Sequence, residues 1–308
     1  MKVKYMGWHG YNNYGDDETR RIIASLGFEF DDNSSILMFG AGTLFPMSKM
    51  WLPFNSTYYD KVVSLCSGVE NPSFPIENFN ERMKETKKIL NDSSLIGLRC
   101  EEDKKVLGFG EVIGDPFYLI DTDHHNIKKE YVAINIGQSF GNVWGGLDAE
   151  FNSFKILCDY IKNELVGKQH EKVVLFSVWR DDEPFLRTAS RYTGCYSFIC
   201  EPTIKNIFSI ISRSKYLISY KLHALITALS LNIPVVPIEY RPKIIDVARD
   251  FGVDKYCIRI DKLTPELLTE KINMLKDWDY DFVKNKKEYY KNKIKAFVNK
   301  IKIECETR

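Results

Sequence analysis

"SYKLHALITALSLNIPVVPIEYRPKIIDVARDFGV", residues 219 to 253, decides how the rest of the chain is read. Strand "KYLIS" ends at Ser219, and "HALITALSLN" then carries apolar residues at helical spacing. "IPVVPIEY" (233 to 240) is a short, nearly continuous apolar run, and a second helical pattern follows Pro242 over 242 to 251. Two apolar strands joined by a helix predict parallel neighbours, buried on both faces and linked by a right-handed crossover. Open parallel sheets bind ligands beyond the carboxyl ends of their strands. Tyr220, Lys221 and His223 fall at the first such end, and Glu239, Tyr240, Arg241 and Lys243 at the second.

Working outward, the same alternation recurs. "VKYMGW" (3 to 8), "SILMFG" (35 to 40), "KVVSLCSG" (61 to 68) and "SLIGLR" (94 to 99) read as buried strands. Residues 16 to 26 and 76 to 90 read as helices between or after them. "DTDHHNIKKE" (121 to 130) has no apolar period and reads as a linker. Beyond it, strands are expected at 131 to 137, 172 to 178, 216 to 219 and 233 to 240. Helices are expected at 148 to 165, 182 to 193, 203 to 214, 222 to 231 and 242 to 251. The pattern predicts an α/β chain of two Rossmann-like domains facing a cleft, 1 to 125 and 126 to 278. Residues 279 to 308 then form a lysine-rich C-terminal helix crossing back to the first domain, with Phe282, Tyr289, Ile294, Phe297 and Ile301 on its apolar side.

Composition narrows the function. Lysine plus arginine number 43 against 42 acids, so no net field draws the chain to nucleic acid. Seven scattered cysteines, at 66, 100, 158, 195, 200, 257 and 305, include no C-x-x-C pair, which argues against a disulfide framework or zinc site and for a reducing cytoplasm. No signal peptide and no apolar run of membrane-spanning length is expected. His124 and His125 have no third ligand at metal spacing.

Other strand ends hold further candidates, each with a plainer reading beside it. "GWHGYNNYGDDE" (7 to 18) is a glycine-loosened loop entering a helix at Asp16 or Asp17, so Asn13 and His9 are ligand groups or ordinary turn residues. "MFGAGTLFP" (38 to 46) offers exposed amides to an anion or simply a tight turn. Arg99 ends a strand, where its fork grips a carboxylate or phosphate, or else pairs at the surface with Glu101 or Glu102. Asp115-Pro116 reads as turn chemistry. Trp144 and Trp179 stack on sugars or, more plainly, pack in the core. His223 is either a structural helix-start histidine or a proton donor beside an anion site built from Lys221 and helix amides.

These motifs together resemble the polysaccharide pyruvyltransferase family. "NYGDDE" is similar to its Asn-x-Gly-Asp-(Asp/Glu) loop, "FGAGTLF" to its glycine-rich turn, "GLRCEED" to its strand-ending arginine and "GDPF" to its Gly-Asp-Pro. "SYKLHALITALSLNIPVVPIEYRPK" is similar to its Ser-x-Arg-Leu-His-Ala segment with the following Pro-Val strand and Tyr-x-x-Lys. The family's arginine is Lys221 here, which keeps the charge and loses the bidentate fork.

The resemblance implies a GT-B-like fold and transfer of pyruvate from phosphoenolpyruvate to two sugar hydroxyls as a ketal. It implies His223 as general acid and Arg99, Lys221, Leu222 and Lys243 as donor ligands. His9, Asn13 and Asp17 would bind the acceptor, a glycan or lipid-linked sugar. The scheme requires no metal and no organic cofactor. A cytoplasmic protein is expected, resting peripherally on anionic lipid if the lysine-rich helix serves that purpose. The competing readings are a nucleotide-sugar glycosyltransferase of the same fold and a non-catalytic glycan-binding relative.

Overall fold

The computed structural model describes residues 1–40, 42–46, 58–91, 95–121, 127–198 and 201–306. Ala41 of the glycine-rich turn, Ser94 and the linker residues His124 and His125 lie outside them. The chain divides into two compact units, the first made of residues 1–10, 15–120 and 287–308, the second of residues 11–14 and 121–286.

In the first unit the elements run β1 (Lys2–Met6), α1 (Tyr14–Ser25), β2 (Glu29–Phe30), β3 (Ile36–Gly40), β4 (Thr43–Phe45), β5 (Lys61–Val69), α2 (Phe79–Asn91), β6 (Leu95–Leu98), α3 (Glu101–Leu107) and β7 (Glu111–Val112). The sheet order is β2-β1-β3-β5-β6-β7, with β4 also on β5. All these pairings are parallel. Successive side chains of a strand face opposite sides, and the core divides accordingly. Leu37, Phe39 and Val62 belong to one apolar cluster with Leu90 and Leu107. Met38 and Val63 belong to the other, with Ile294, Phe297 and Ile301. Both faces are therefore covered, as a parallel sheet requires.

In the second unit come β8 (Tyr131–Asn135), α4 (Gly146–Tyr160), β9 (Val173–Phe176), α5 (Glu183–Thr193), β10 (Tyr196–Phe198), α6 (Ile204–Ser212), β11 (Ser214–Ser219), α7 (Leu222–Ser230), β12 (Val235–Glu239), α8 (Pro242–Asp250), β13 (Ile258–Arg259) and α9 (Pro265–Met274). The sheet is again parallel, in the order β10-β9-β8-β11-β12-β13. β11 and β12 are neighbours, as the opening stretch predicts. The helix expected over 148 to 165 starts at Gly146 and changes after Tyr160 into a π-helical run, Ile161–Lys168.

A final helix, α10 (Tyr280–Glu306), carries residues of both units. Its buried side differs from the expected one. Phe282 and Tyr289 are each 48% exposed, and Val283, Tyr290 and Val298 are buried in their stead, alongside Ile294, Phe297 and Ile301. Several of its lysines are occupied: Lys287 donates to the Ile120 carbonyl, Lys300 pairs with Glu111 and Lys302 donates to the Leu26 carbonyl. No helix among the described residues is long and apolar enough to cross a membrane.

Gly97 of β6 leaves room for α10, since a Cβ there would stand 2.8 Å from Phe297 Cε1. Phe297→Ala should lower stability by about 3–5 kcal/mol through the cavity it leaves. The half-exposed Phe282→Ala should change it by less than ~1 kcal/mol. Urea unfolding of both variants checks the assignment of the helix's buried side.

Candidate functional site

The order of the second sheet locates its crevice before any side chain is considered. From β8 the chain moves outward through β9 and β10, then returns to lay β11, β12 and β13 on the other side. Connections leave the carboxyl ends of β8 and β11 in opposite directions, which opens a space between them. Asn135 ends β8 and Ser219 ends β11, and the two residues are paired in the sheet.

Asn135 is fully buried and its amide is fully used. Its Oδ1 accepts the Lys221 backbone N–H at 2.9 Å, while its Nδ2 donates to the carbonyls of Phe176 (3.3 Å) and Ile136 (3.4 Å). Ser219 Oγ donates to the Lys221 carbonyl at 2.9 Å. Lys221 is thereby held extended as the N-cap of α7, with no side chain capping the helix. The first amides of such a helix lack intrahelical acceptors and favour an anion.

The Lys221 stem crosses Gly137, where a Cβ would stand 2.3 Å from Cε. A side chain there would displace the lysine stem. Its ammonium donates to the Gln138 carbonyl and lies 3.5 Å from Asp182 Oδ1, which also accepts the Gln138 N–H at 2.9 Å. Asp182 is fully buried, and burial pushes its carboxyl up to about 6, against the pull of Lys221. Two rings flank the ammonium, Trp179 at 5.4 Å and Tyr240 at 6.0 Å from its nitrogen.

Lys243, in the first turn of α8, lies 5.3 Å from the same Tyr240 ring. The α8 N-cap, Arg241, is extended and provides no side-chain cap either. Burial drives the Tyr240 phenol upward, but Lys243 and Lys221, helped by a hydrogen bond from Lys243 and by Arg241, outweigh it and bring the phenol below its ordinary pKa. Two ammonium groups and two uncapped helix starts therefore converge in the second unit. His223 is the second residue of α7, half-buried, its carbonyl accepting from Thr227 Oγ1, which pairs in turn with the Tyr14 hydroxyl. Leu222 is 4% exposed, so what it can offer a ligand is its backbone N–H. Glu239 accepts from Trp144 Nε1 at 3.0 Å, and burial raises its carboxyl.

Asn13 belongs with this group rather than with the first unit. It bridges to Trp179, whose Nε1 donates to the Tyr11 carbonyl, and the Tyr14 N–H donates to Val178. Helix α1 starts at Tyr14, earlier than the expected Asp16 or Asp17; Asp17 instead accepts the Gly10 N–H from within the first turn. Trp278 is a core residue, whereas Trp144 and Trp179 are not. Both are half-buried and each has its N–H in use, contrary to the plainer packing role.

In the first unit, His9 is exposed beside the Tyr5 ring, and desolvation followed by Arg20 lowers its pKa, with Asp17 opposing. Arg99 is 3% exposed, which overturns the surface pair with Glu101 or Glu102. Its guanidinium covers Gly68, where a Cβ would lie 2.1 Å from Nη2, and Nη2 donates to Thr43 Oγ1 at 3.3 Å. Burial opposes the charge, but Asp103 and Asp115 outweigh it and raise the guanidinium's pKa. Asp115 does cap the turn at Pro116–Leu119, and burial pushes it up to about 6 against Arg99. Arg99 Nε has no hydrogen-bond partner among the described residues.

Sequence reasoning missed Asn135, Gly137, Gln138 and Asp182. The one available signal was an amide inside the otherwise apolar run "YVAINIG", a polar residue that a buried strand keeps only if it is satisfied.

No curated protein matches the sequence. Among solved structures, the S. aureus MnaA-UDP co-structure superposes with a TM-score of 0.60 at 11% identity, covering 95% of this chain and 82% of that one. The Methanocaldococcus jannaschii UDP-GlcNAc 2-epimerase, in complex with UDP-GlcNAc and UDP, gives 0.57 at 10% identity, covering 85% and 73%. At such identities these likenesses establish the fold alone, a GT-B-like pair of parallel α/β units with a long C-terminal helix. The family described as polysaccharide pyruvyl transferase matches residues 8–242, which include both strand ends of the opening stretch, and the chain belongs to that family.

Proposed function

We propose that the protein transfers pyruvate from phosphoenolpyruvate to two hydroxyls of a sugar in a polysaccharide or its lipid-linked precursor, releasing phosphate and leaving a cyclic ketal. The observation that carries this reading is the convergence of Lys221 and Lys243 on Tyr240, beside His223, at two uncapped helix starts. A dianionic donor finds there both full positive charge and free-standing helix dipoles.

In the proposed sequence His223 delivers a proton to the donor's methylene carbon, which becomes a methyl group and leaves an oxocarbenium centre at C2. One sugar hydroxyl adds to C2 and gives up its proton. The C2–O bond to phosphate then breaks, phosphate carries away the bonding pair, and a second hydroxyl closes the ketal with loss of its proton. One of the two released protons restores His223, and the other leaves with phosphate or solvent. The donor's charge, held next to the imidazole, favours the protonated acid. Lys221, Lys243 and the backbone N–H of Leu222 hold the donor; Arg99 is the anion-binding group proposed in the first unit. His9, Asn13 and Asp17 are proposed acceptor ligands. The reading implies a cytoplasmic reaction, at the inner membrane face where the acceptor is lipid-linked.

His223→Ala should reduce phosphate release from phosphoenolpyruvate, with sugar present, by about 10²-fold or more, with donor binding by calorimetry retained. Turnover within a few-fold of the unsubstituted protein removes His223 as the acid. A parallel assay with nucleotide sugars tests the glycosyltransferase alternative.

Tyr240 reports on the donor site without turnover. In an alkaline absorbance titration its phenol should ionise before the buried Tyr5, Tyr216 and Tyr220, all of which are shifted upward, and Tyr240→Phe should delete that early step. An anion on the two lysines favours the neutral phenol, so phosphoenolpyruvate should move the step to higher pH. An unmoved step means that the donor does not sit on Lys221 and Lys243.

A further inference from the structure

Phe140 is 64% exposed, and it is displayed at a conformational cost. Its φ of +52° lies in the left-handed region, which a bulky residue rarely adopts. The loop is held there by the buried carboxylate of Glu150, which accepts the N–H of Ser139 on one oxygen and the N–H of Gly141, at 2.5 Å, on the other. These two donors flank Phe140 in sequence, so the clamp leaves the phenyl ring facing solvent.

What it meets is Trp179. The ring centres are 6.3 Å apart and the planes stand at 86°, so the two rings make an open corner. The indole is oriented by its N–H bond to the Tyr11 carbonyl at 3.2 Å, and Tyr11 is itself 61% exposed. One further neighbour gives the corner its context. The Lys221 ammonium lies 5.4 Å from the indole centre, which ties the aromatic corner directly to the donor-binding group. Arg180 and Asp181, next in sequence to Trp179, are exposed charged residues at its rim.

We propose that Phe140 and Trp179, the indole held by the Tyr11 backbone carbonyl, form a carbohydrate subsite on the second unit, on which a pyranose ring of the acceptor stacks beside Lys221. The apolar C–H face of a pyranose suits an aromatic plane, and its hydroxyl edge suits a polar rim. A lipid chain or an apolar helix would bury Arg180 and Asp181 without partners. The subsite rests on the pyruvyl-transfer reading, because it is the acceptor of that reaction that has to lie next to the donor's lysine. It also extends acceptor recognition to residues outside the loop that carries His9, Asn13 and Asp17.

The test is saturation-transfer NMR with methyl β-D-glucopyranoside, methyl β-D-galactopyranoside and N-acetylglucosamine, on the unsubstituted protein and on Phe140→Asn and Phe140→Tyr. Asparagine tolerates the left-handed backbone, so Phe140→Asn should unfold at the same temperature or higher. Its saturation of the sugar ring C–H protons should nevertheless fall by up to about tenfold, while Phe140→Tyr retains it. The inference is overturned if none of the three sugars is saturated by the unsubstituted protein, or if Phe140→Asn matches it. Phosphate release from phosphoenolpyruvate is measured on the same samples. Saturation that depends on Phe140 but occurs without phosphate release leaves the subsite standing and removes the pyruvyl-transfer reading.

Discussion

The hydrogen bond from the Lys221 backbone to the buried side chain of Asn135 is the constraint on which the candidate site depends. It joins the ends of two strands whose connections part company, and it does so at the one place where the sheet order leaves a crevice. Because Asn135 also donates to Phe176 and Ile136, none of its polar atoms can be withdrawn without leaving a buried group unsatisfied. The orientation of α7, and hence the position of His223, follows from that one amide and from Ser219 on the other side of the N-cap.

Lys221 occupies a narrower setting than a surface cation does. Its stem needs the missing side chain of Gly137, and its charge is opposed by a carboxylate with no access to water. Asp182 is costly to ionise in that position, and the ammonium is what makes the ionised form tolerable. The same ammonium also acts on Tyr240, together with Lys243, so one charge serves both the internal pair and the proposed anion site. A lysine, a compact point charge, can address Gln138, Asp182 and two rings at once; a planar fork distributes its donors differently. That is the physical content of the departure from the family's Arg-Leu-His.

Much of this was legible beforehand. Apolar runs of strand length alternating with helical periods indicated parallel sheets, and β11, α7, β12 and α8 lie where the opening stretch implies. Most of the elements that went unread are short: β2, β7 and β13 have two residues each, β4 and β10 three and α3 seven, too few to establish a period. Only α9, with ten residues, went unread despite a helix's length. The exposed side of α10 was misjudged for a related reason. Aromatic residues such as Phe282 and Tyr289 satisfy a helical pattern whether or not the fold covers them, and Val283 and Tyr290 one position on are the ones it covers.

By itself, then, the sequence determined the fold class, the family and the strand ends at which Lys221, His223, Tyr240 and Lys243 stand. These are local properties, set by periodicity and by residues adjacent in the chain. Only the tertiary structure decided that Arg99 is buried among Asp103 and Asp115, that Asn13 groups with Trp179, and that Asn135, Gly137 and Asp182 support Lys221. The last two depend on residues far apart in the chain meeting at the end of a sheet, and the first on how deeply the fold covers residues that are close in sequence. Burial, which sets what a charge costs and what it must pair with, has no counterpart in the order of the residues.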